Sequence, residues 1–303
     1  MSHDLHRRPE LLPVAFILLQ NTLYGFGDPI SKAAYEVLPV YSLLSVRYGI
    51  ALLFLLAVFG RRIVRGLRAC SWRDWLAPSL CMGGAYVVGN IALVLTAATS
   101  VAFLRSLSTV MTPLLALAVF RRGFGKKHIP ILLLSVVGLY LLCGLGGLSG
   151  FGWGEVLALL TALFLSGSLI FGEKSLERVD PVSLTAVQTA ASVAMALVCA
   201  LLFEGGIHLE AAAPTHWAII VYLALACTVA GYLLQNAALK SISARMVALL
   251  QCVCPVMTAL FSRLVLGEHL SAAGLAGAVI LLGCVAAETL MKDDEPDSIP
   301  GSY

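Results

Sequence analysis

One stretch of this sequence occurs twice, and the two copies end in loops of different charge. Tyr86, Asn90, Ala92, Leu93, Val101, Ala102, Leu104, Val110, Met111, Thr112 and Leu114 recur at one fixed offset as Tyr232, Asn236, Ala238, Leu239, Val247, Ala248, Leu250, Val256, Met257, Thr258 and Leu260. The loop after the first copy reads Arg121-Arg122-Gly123-Phe124-Gly125-Lys126-Lys127-His128. Its counterpart reads Gly267-Glu268-His269-Leu270-Ser271, with no lysine or arginine. Basic loops stay on the cytoplasmic side of a membrane, so one of these twins faces the cytoplasm and the other does not. Two copies of one unit inserted in opposite directions form an inverted repeat.

Such a chain must sit in lipid, and its composition agrees. A soluble protein is about half apolar and a quarter charged. This one is 59% hydrophobic and 12% charged, with a mean hydropathy of +0.92. The net charge of +3 is spread over short loops, so it makes no patch for nucleic acid. Most of the eight cysteines fall in apolar spans. Cys252 and Cys254 lack the second ligand pair of a zinc site, and no metal is expected. Met1–Glu10 is too short and polar for a signal peptide.

A spanning helix takes roughly 20 apolar residues. Ten such stretches are legible, near Leu11–Ala34, Tyr41–Phe59, Trp75–Ala97, Ser100–Phe120, Ile129–Leu145, Gly154–Phe171, Leu184–Phe203, His216–Leu239, Ala244–Leu266 and Ala272–Met291. The expected fold is an all-α integral membrane protein of ten transmembrane helices in two inverted five-helix repeats. Residues 1–10 form a cytoplasmic N-terminus, 11–147 the first repeat, 148–291 the second, and 292–303 a cytoplasmic, disordered tail. With the N-terminus inside, the basic residues fall on the cytoplasmic side except for Lys32, Arg47, Arg105 and Arg263. Trp72 and Trp75 then mark one interface and Trp153 and Trp217 the other, as an aromatic belt does. The expected location is the plasma membrane, the inner membrane of a bacterium, with both termini cytoplasmic.

Several stretches resemble the drug/metabolite transporter superfamily, in particular its EamA-type members. Leu43-Leu44-Ser45-Val46-Arg47-Tyr48 is similar to the second-helix signature, and Asp180-Pro181-Val182-Ser183-Leu184-Thr185-Ala186-Val187-Gln188 to its counterpart in the second half. Ala97–Leu104 continuing to Thr112–Ala116 resembles the junction of helices three and four, and Leu266–Leu270 through Gly283 that of nine and ten. The resemblance covers nearly the whole membrane domain. It implies a carrier that moves a small organic metabolite, often outward, by alternating access. Two departures stand out: Arg121-Arg122 replaces a Gly-Glu-like turn, and Arg105 occupies a position that is usually small or polar.

Ionisable groups inside a bilayer are functional candidates because lipid penalises them. Arg47 and Arg105 lie roughly 7–9 Å below the outer starts of their spans, at 1.5 Å per residue. Asp28 lies about two turns below the outer end of the first. Repeat alignment turns Arg105 into Gln251 and Arg47 into Gln188, so the site is electropositive outward and neutral inward. A guanidinium fork suits a carboxylate. Arg47 has a second reading, as the structural partner of Asp28, and Asp28 could instead pair with Lys32 or carry a coupling proton. Gly25, Gly27 and Pro29 mark either a helix break that aims backbone groups into a cavity or a packing kink. Glu288 is expected to pair with Lys292, one turn on.

The expected substrate-lining set is Arg105, Asn90, Tyr86, Asp28, Gln20, Asn21, Tyr24, Tyr232, Asn236 and Gln251, with Arg47, Gln188 and Lys32 as gating or structural groups. The substrate expected is a small molecule with an acidic group, such as an amino acid. The rival is a quaternary amine or other cation held by Tyr24, Phe26 and Tyr86 with Asp28 as counter-ion. No cofactor is expected beyond a coupling proton or ion, the partners are the substrate and lipid, and a homodimer is left open. No metal-spaced ligand cluster and no nucleophile elbow speaks for an enzyme.

Overall fold

Several helices start where a side chain satisfies free amides. Ser71 and Asp74 form a reciprocal cap at the start of one helix, Asp180 accepts from Val182 N at 3.2 Å at another, and Ser243 from Met246 N at 3.3 Å at a third. These caps punctuate ten apolar segments in the computed structural model, which describes residues 11–96, 98–121, 128–144, 152–266 and 271–290. We number them α1 (Leu11–Tyr35), α2 (Val40–Arg68), α3 (Trp72–Leu95), α4 (Ala98–Ser106 and Ser108–Phe120) and α5 (Ile129–Leu139, widening into a π turn at Tyr140–Gly144). The second half has α6 (Trp153–Ser175), α7 (Pro181–Cys199, with a π turn at Ala200–Glu204), α8 (Pro214–Leu239, with π geometry at Leu223–Ala230), α9 (Ala244–Leu250 and Val253–Leu266) and α10 (Ala272–Leu290). Eight stretches are long and apolar enough to cross a membrane, and Ile129–Leu142 is a shorter apolar helix. With α1, 25 residues long but interrupted by Gln20, Asn21 and Asp28, the protein is a ten-helix, multi-pass membrane protein. No strand occurs among the described residues.

The repeat is visible in backbone detail. Helix α4 begins at Ala98 and α9 at Ala244, separated by the same offset as Tyr86 and Tyr232. Both are broken about two turns in, at Leu107 and at Gln251–Cys252. Pro255 accounts for the second break: it cannot donate to the Gln251 carbonyl, which takes Cys254 N at 3.0 Å instead. Pro113 lies inside the continuous second part of α4, so the first break has no proline. The loop 122–127 and residues 267–270, whose charges revealed the inversion, lie outside the described residues, as do the N-terminus and the tail from 291.

The two halves are interleaved. The main packing runs α3 on α6 and α7, α2 on α7, α1 on α8 and α9, α4 on α6, and α5 on α10. Every one of these contacts joins one half to the other. Each also has a repeat mate: α3–α6 maps onto α8–α1, α4–α6 onto α9–α1, and α2–α7 and α5–α10 map onto themselves.

The α2–α7 pair is fastened at both ends. At one, Glu204 closing α7 accepts from Tyr41 N (2.8 Å), Ser42 N (2.8 Å) and Ser42 Oγ (2.7 Å) at the start of α2. At the other, Arg62 Nε near the end of α2 donates to Asp180 Oδ1 (3.1 Å), the cap of α7. A carboxylate on free helix amides is favourable through hydrogen bonding and the helix dipole together.

Packing is uneven along the helices. The half nearer Leu11 and Leu290 holds a continuous apolar core that includes Ile17, Leu169, Leu184, Leu239, Val247 and Leu250. There Glu288 meets His128 Nδ1 (3.0 Å) and Arg245 Nη2 (3.6 Å), and its expected partner Lys292 lies outside the described residues. The opposite half contains the cavity.

Candidate functional site: a charged cavity between the repeats

Helix α1 runs unbroken through Gly25, Gly27 and Pro29, so of the two readings of these residues the packing one holds. A Cβ on Gly25 would lie 2.5 Å from Met257 Cβ, so the glycine lets α1 and α9 approach closely. That approach places Asp28 beside α4 and α9. Asp28 Oδ2 accepts from Arg105 Nη2 at 2.7 Å and Thr258 Oγ1 lies 3.4 Å away, and Arg105 and Asp28 each keep 22% of the side chain exposed.

Asp28 thus pairs with Arg105. It pairs neither with Arg47 nor with Lys32, which does not line the cavity. Arg47 sits two turns into α2, 4% exposed. Its Nε donates to Thr228 Oγ1 (3.1 Å), whose hydroxyl bonds back to Leu223 O (3.1 Å), a five-residue step within the π turns of α8. The guanidinium also lies over the Tyr48 ring, 5.2 Å from its centroid. Among the described residues Arg47 has no carboxylate partner and its two terminal nitrogens make no hydrogen bond. Departures into π geometry often sit at functional sites, and here one carries the hydroxyl that meets the buried Arg47.

These groups line one cavity between the two halves, with a volume of about 70 Å³. Its lining includes Asn21, Tyr24, Asp28, Arg47, Tyr86, Asn90, Arg105 and Gln251 from the expected set. Asn90 anchors the wall: its Nδ2 donates to Tyr86 O (2.7 Å) and its Oδ1 accepts from Tyr35 OH (2.6 Å). Tyr24 and Tyr86 meet edge to face with centroids 6.4 Å apart.

Of the remaining expected residues, Gln20, Tyr232, Asn236 and Gln188 are buried behind the lining. Gln20 is fully buried in an amide cluster that forms the floor. Gln20 Nε2 donates to Gln235 Oε1 (2.9 Å) and Gly231 O (3.1 Å), and Gln251 Nε2 donates to Gln235 Oε1 (2.9 Å). Asn21 Nδ2 caps the break in α9 through Leu250 O (2.8 Å). Tyr232 is fully buried under Tyr86, centroids 5.4 Å apart. Asn236 donates to Gln188 Oε1 (2.7 Å) and Thr185 Oγ1 (2.9 Å) deep in the closed half. So Tyr232, Asn236 and Gln188 do not line this cavity. Among the described residues the buried Asn236 Oδ1 and Gln188 Nε2 have no hydrogen-bond partner. Phe26 packs between Tyr222 and Phe261 (centroids 5.3 and 5.5 Å), away from the lining.

Sequence reasoning missed Ser31, Gln235, Thr161 and Thr228. Ser31 stands one turn from Asp28, and Gln235 adjoins Asn236 and faces the other way, so helical spacing could have found both. Thr228 had no such signal, because a π turn shifts the face its residue presents. Among the described residues no cluster of metal-ligating side chains occurs.

The fold and this site can be set beside known proteins. A protein of known crystal structure, 20% identical, superposes with a TM-score of 0.76 over 93% of this chain and 96% of its own, a likeness of fold. Two proteins of Archaeoglobus fulgidus, each described as an uncharacterized transporter, are similar in sequence. One is 27% identical over 246 residues, 78% of this chain and 83% of the relative. The other is 28% identical over 153 residues, 50% of this chain and 46% of the relative. The profile of the EamA-like transporter family matches twice, at residues 11–144 and again at 152–287. The two matches fall on the two interleaved halves that enclose the cavity, and the chain belongs to the EamA-like transporter family, within the drug/metabolite transporter superfamily.

Proposed function

We propose that this transporter moves a small amphipathic solute bearing a carboxylate or other anionic group, amino acids included, by alternating access through the central cavity. The observation that carries this reading is Arg47, a buried cation without a carboxylate, lining a cavity with Tyr24 and Tyr86 on its walls. A guanidinium binds a carboxylate through parallel hydrogen bonds, and tyrosines cover apolar surface while offering a polar tip. Arg105 shares the cavity, but its charge is already met by Asp28. The anchor is therefore assigned to Arg47, with Arg105 and Asp28 as a polar wall that a solute's own charges can engage. Asp28 is also where a coupling proton would act.

The closed half supports rocking about the floor. Its buried Asn236 and Gln188 carry polar atoms without a hydrogen-bond partner among the described residues, as expected of groups that meet solute when the cavity opens on their side. Family resemblance favours export, and the distribution of basic residues favours the plasma membrane with both termini cytoplasmic. Each chain holds a whole cavity, so a homodimer would carry two. The cation alternative loses Phe26 from its aromatic box, and its counter-ion Asp28 is engaged by Arg105. Carriage rather than catalysis fits the relatives.

The test is a thermal-shift screen of the purified protein against anionic, zwitterionic and cationic metabolites, with Arg47→Gln and Arg105→Gln alongside. A ligand at 100 times its Kd stabilises by about 2.7 kcal/mol. Acidic or zwitterionic solutes should raise the Tm of the wild type and leave folded Arg47→Gln unmoved. Stabilisation by quaternary amines, unaffected by Arg47→Gln, would overturn the reading.

A further inference from the structure

Resting on the assignment of Arg47 as the solute's anchor, we propose that the cavity holds one positive charge in excess when empty, that its solute has a net charge of −1, and that the protein exchanges one such anion for another instead of returning empty. The charged side chains among the described lining residues are Asp28, Arg47 and Arg105. Asp28 and Arg105 cancel across 2.7 Å. Arg47 is left over, and Thr228 offers it a dipole, which is no counter-charge. A guanidinium does not shed its proton to escape burial.

Two states of the cavity differ in what this charge meets. While the mouth is open, water and the solute have access to it. When the helices close over an empty site, a bare cation is enclosed in a low-dielectric interior, and that is among the costliest arrangements a membrane protein can adopt. A bound monoanion removes the penalty. A zwitterion does not, because its ammonium restores the charge its carboxylate cancels, and a cation doubles it. Closure is thus licensed by a monoanion, and the inward and outward steps each need one aboard.

Two linked experiments test this. The first compares the wild type, Arg47→Gln and Arg47→Lys in thermal shift with solutes matched in shape and differing in charge: glutamate against glutamine, N-acetylphenylalanine against its amide, with lysine as the cation. The anionic member of a pair should raise the Tm more than its neutral twin, Arg47→Lys should keep the preference and Arg47→Gln should erase it. Equal stabilisation by glutamate and glutamine overturns the charge count while leaving a carboxylate at Arg47, whereas stabilisation by neither member of either pair, or preference for lysine, overturns the anionic reading of the site as well.

The second experiment takes the more stabilising anion as a radiolabelled probe in proteoliposomes of wild type. Uptake into vesicles preloaded with the same anion should exceed uptake into vesicles whose lumen lacks small anions by roughly 100-fold, the factor that enclosing one unpaired arginine implies. Equal rates in the two preparations would sink exchange while leaving anion binding at Arg47 intact, so the two failures are distinguishable.

Discussion

The ion pair of Arg105 with Asp28 and the lone guanidinium of Arg47 make opposite predictions for the same kind of change. Asp28→Asn strips Arg105 of its carboxylate. A fully buried pair broken this way loses about 3–5 kcal/mol, and with a fifth of each side chain exposed the expected loss is about 2 kcal/mol, since water screens part of it. Adding Arg105→Gln, which installs the residue found at the repeat-equivalent Gln251, should recover part of that loss, read as Tm in detergent. Arg47→Gln breaks no ion pair and should cost less stability than Asp28→Asn while costing more ligand response. A larger Tm drop for Arg47→Gln than for Asp28→Asn would mean that Arg47 holds the fold and not the solute. The sequence showed that these three charges gather at one depth. It could not show which of them pair, because depth follows from counting residues whereas pairing depends on how far each helix is rotated about its axis.

At the scale of the helices, packing rather than propensity sets the tolerances. Gly25→Ala pushes a methyl group into Met257 and should destabilise by about 1–3 kcal/mol, the usual cost of overpacking. Gly60→Ala, on α2 with open space around it, should be neutral or gain up to about 1 kcal/mol from helix propensity. Comparing their Tm values in one membrane mimic checks the contact. Glu204→Leu removes the cap that joins α7 to α2 and should cost about 1–2 kcal/mol. It should also speed amide exchange at Tyr41 and Ser42. Apolar run length located all ten spans to within a few residues at most of their ends. The largest error was α2, read as Tyr41–Phe59 and observed as Val40–Arg68, because Arg61, Arg62, Arg65 and Arg68 end a hydropathy run without ending a helix. The break at Leu107 was invisible for the converse reason: no proline or glycine marks it, and its partner at Gln251–Cys252 became interpretable only through the hydrogen bond released by Pro255.

At the scale of the whole molecule, the inverted repeat was legible because two copies of one pattern survive in the chain, and the interleaving was not, because a repeat says nothing about which faces its copies share. Residues 11–147 expressed alone should give no thermally cooperative fold, since α1, α2, α3 and α4 find their main partners among α6 to α9. Co-expression with residues 148–291 should restore one sharp unfolding transition at the elution volume of the intact chain, and two independent transitions would contradict the interleaved packing. This arrangement also fixes an order in time. The first five helices enter the bilayer before their partners have been synthesised, so Arg47, Asn90 and the small-residue face of α3 at Gly83 and Gly84 must wait there without the neighbours that later enclose them. A pause or fault in making the second half would therefore leave a half-built protein with its polar wall turned to lipid, an easily recognised target for the membrane's quality-control proteases.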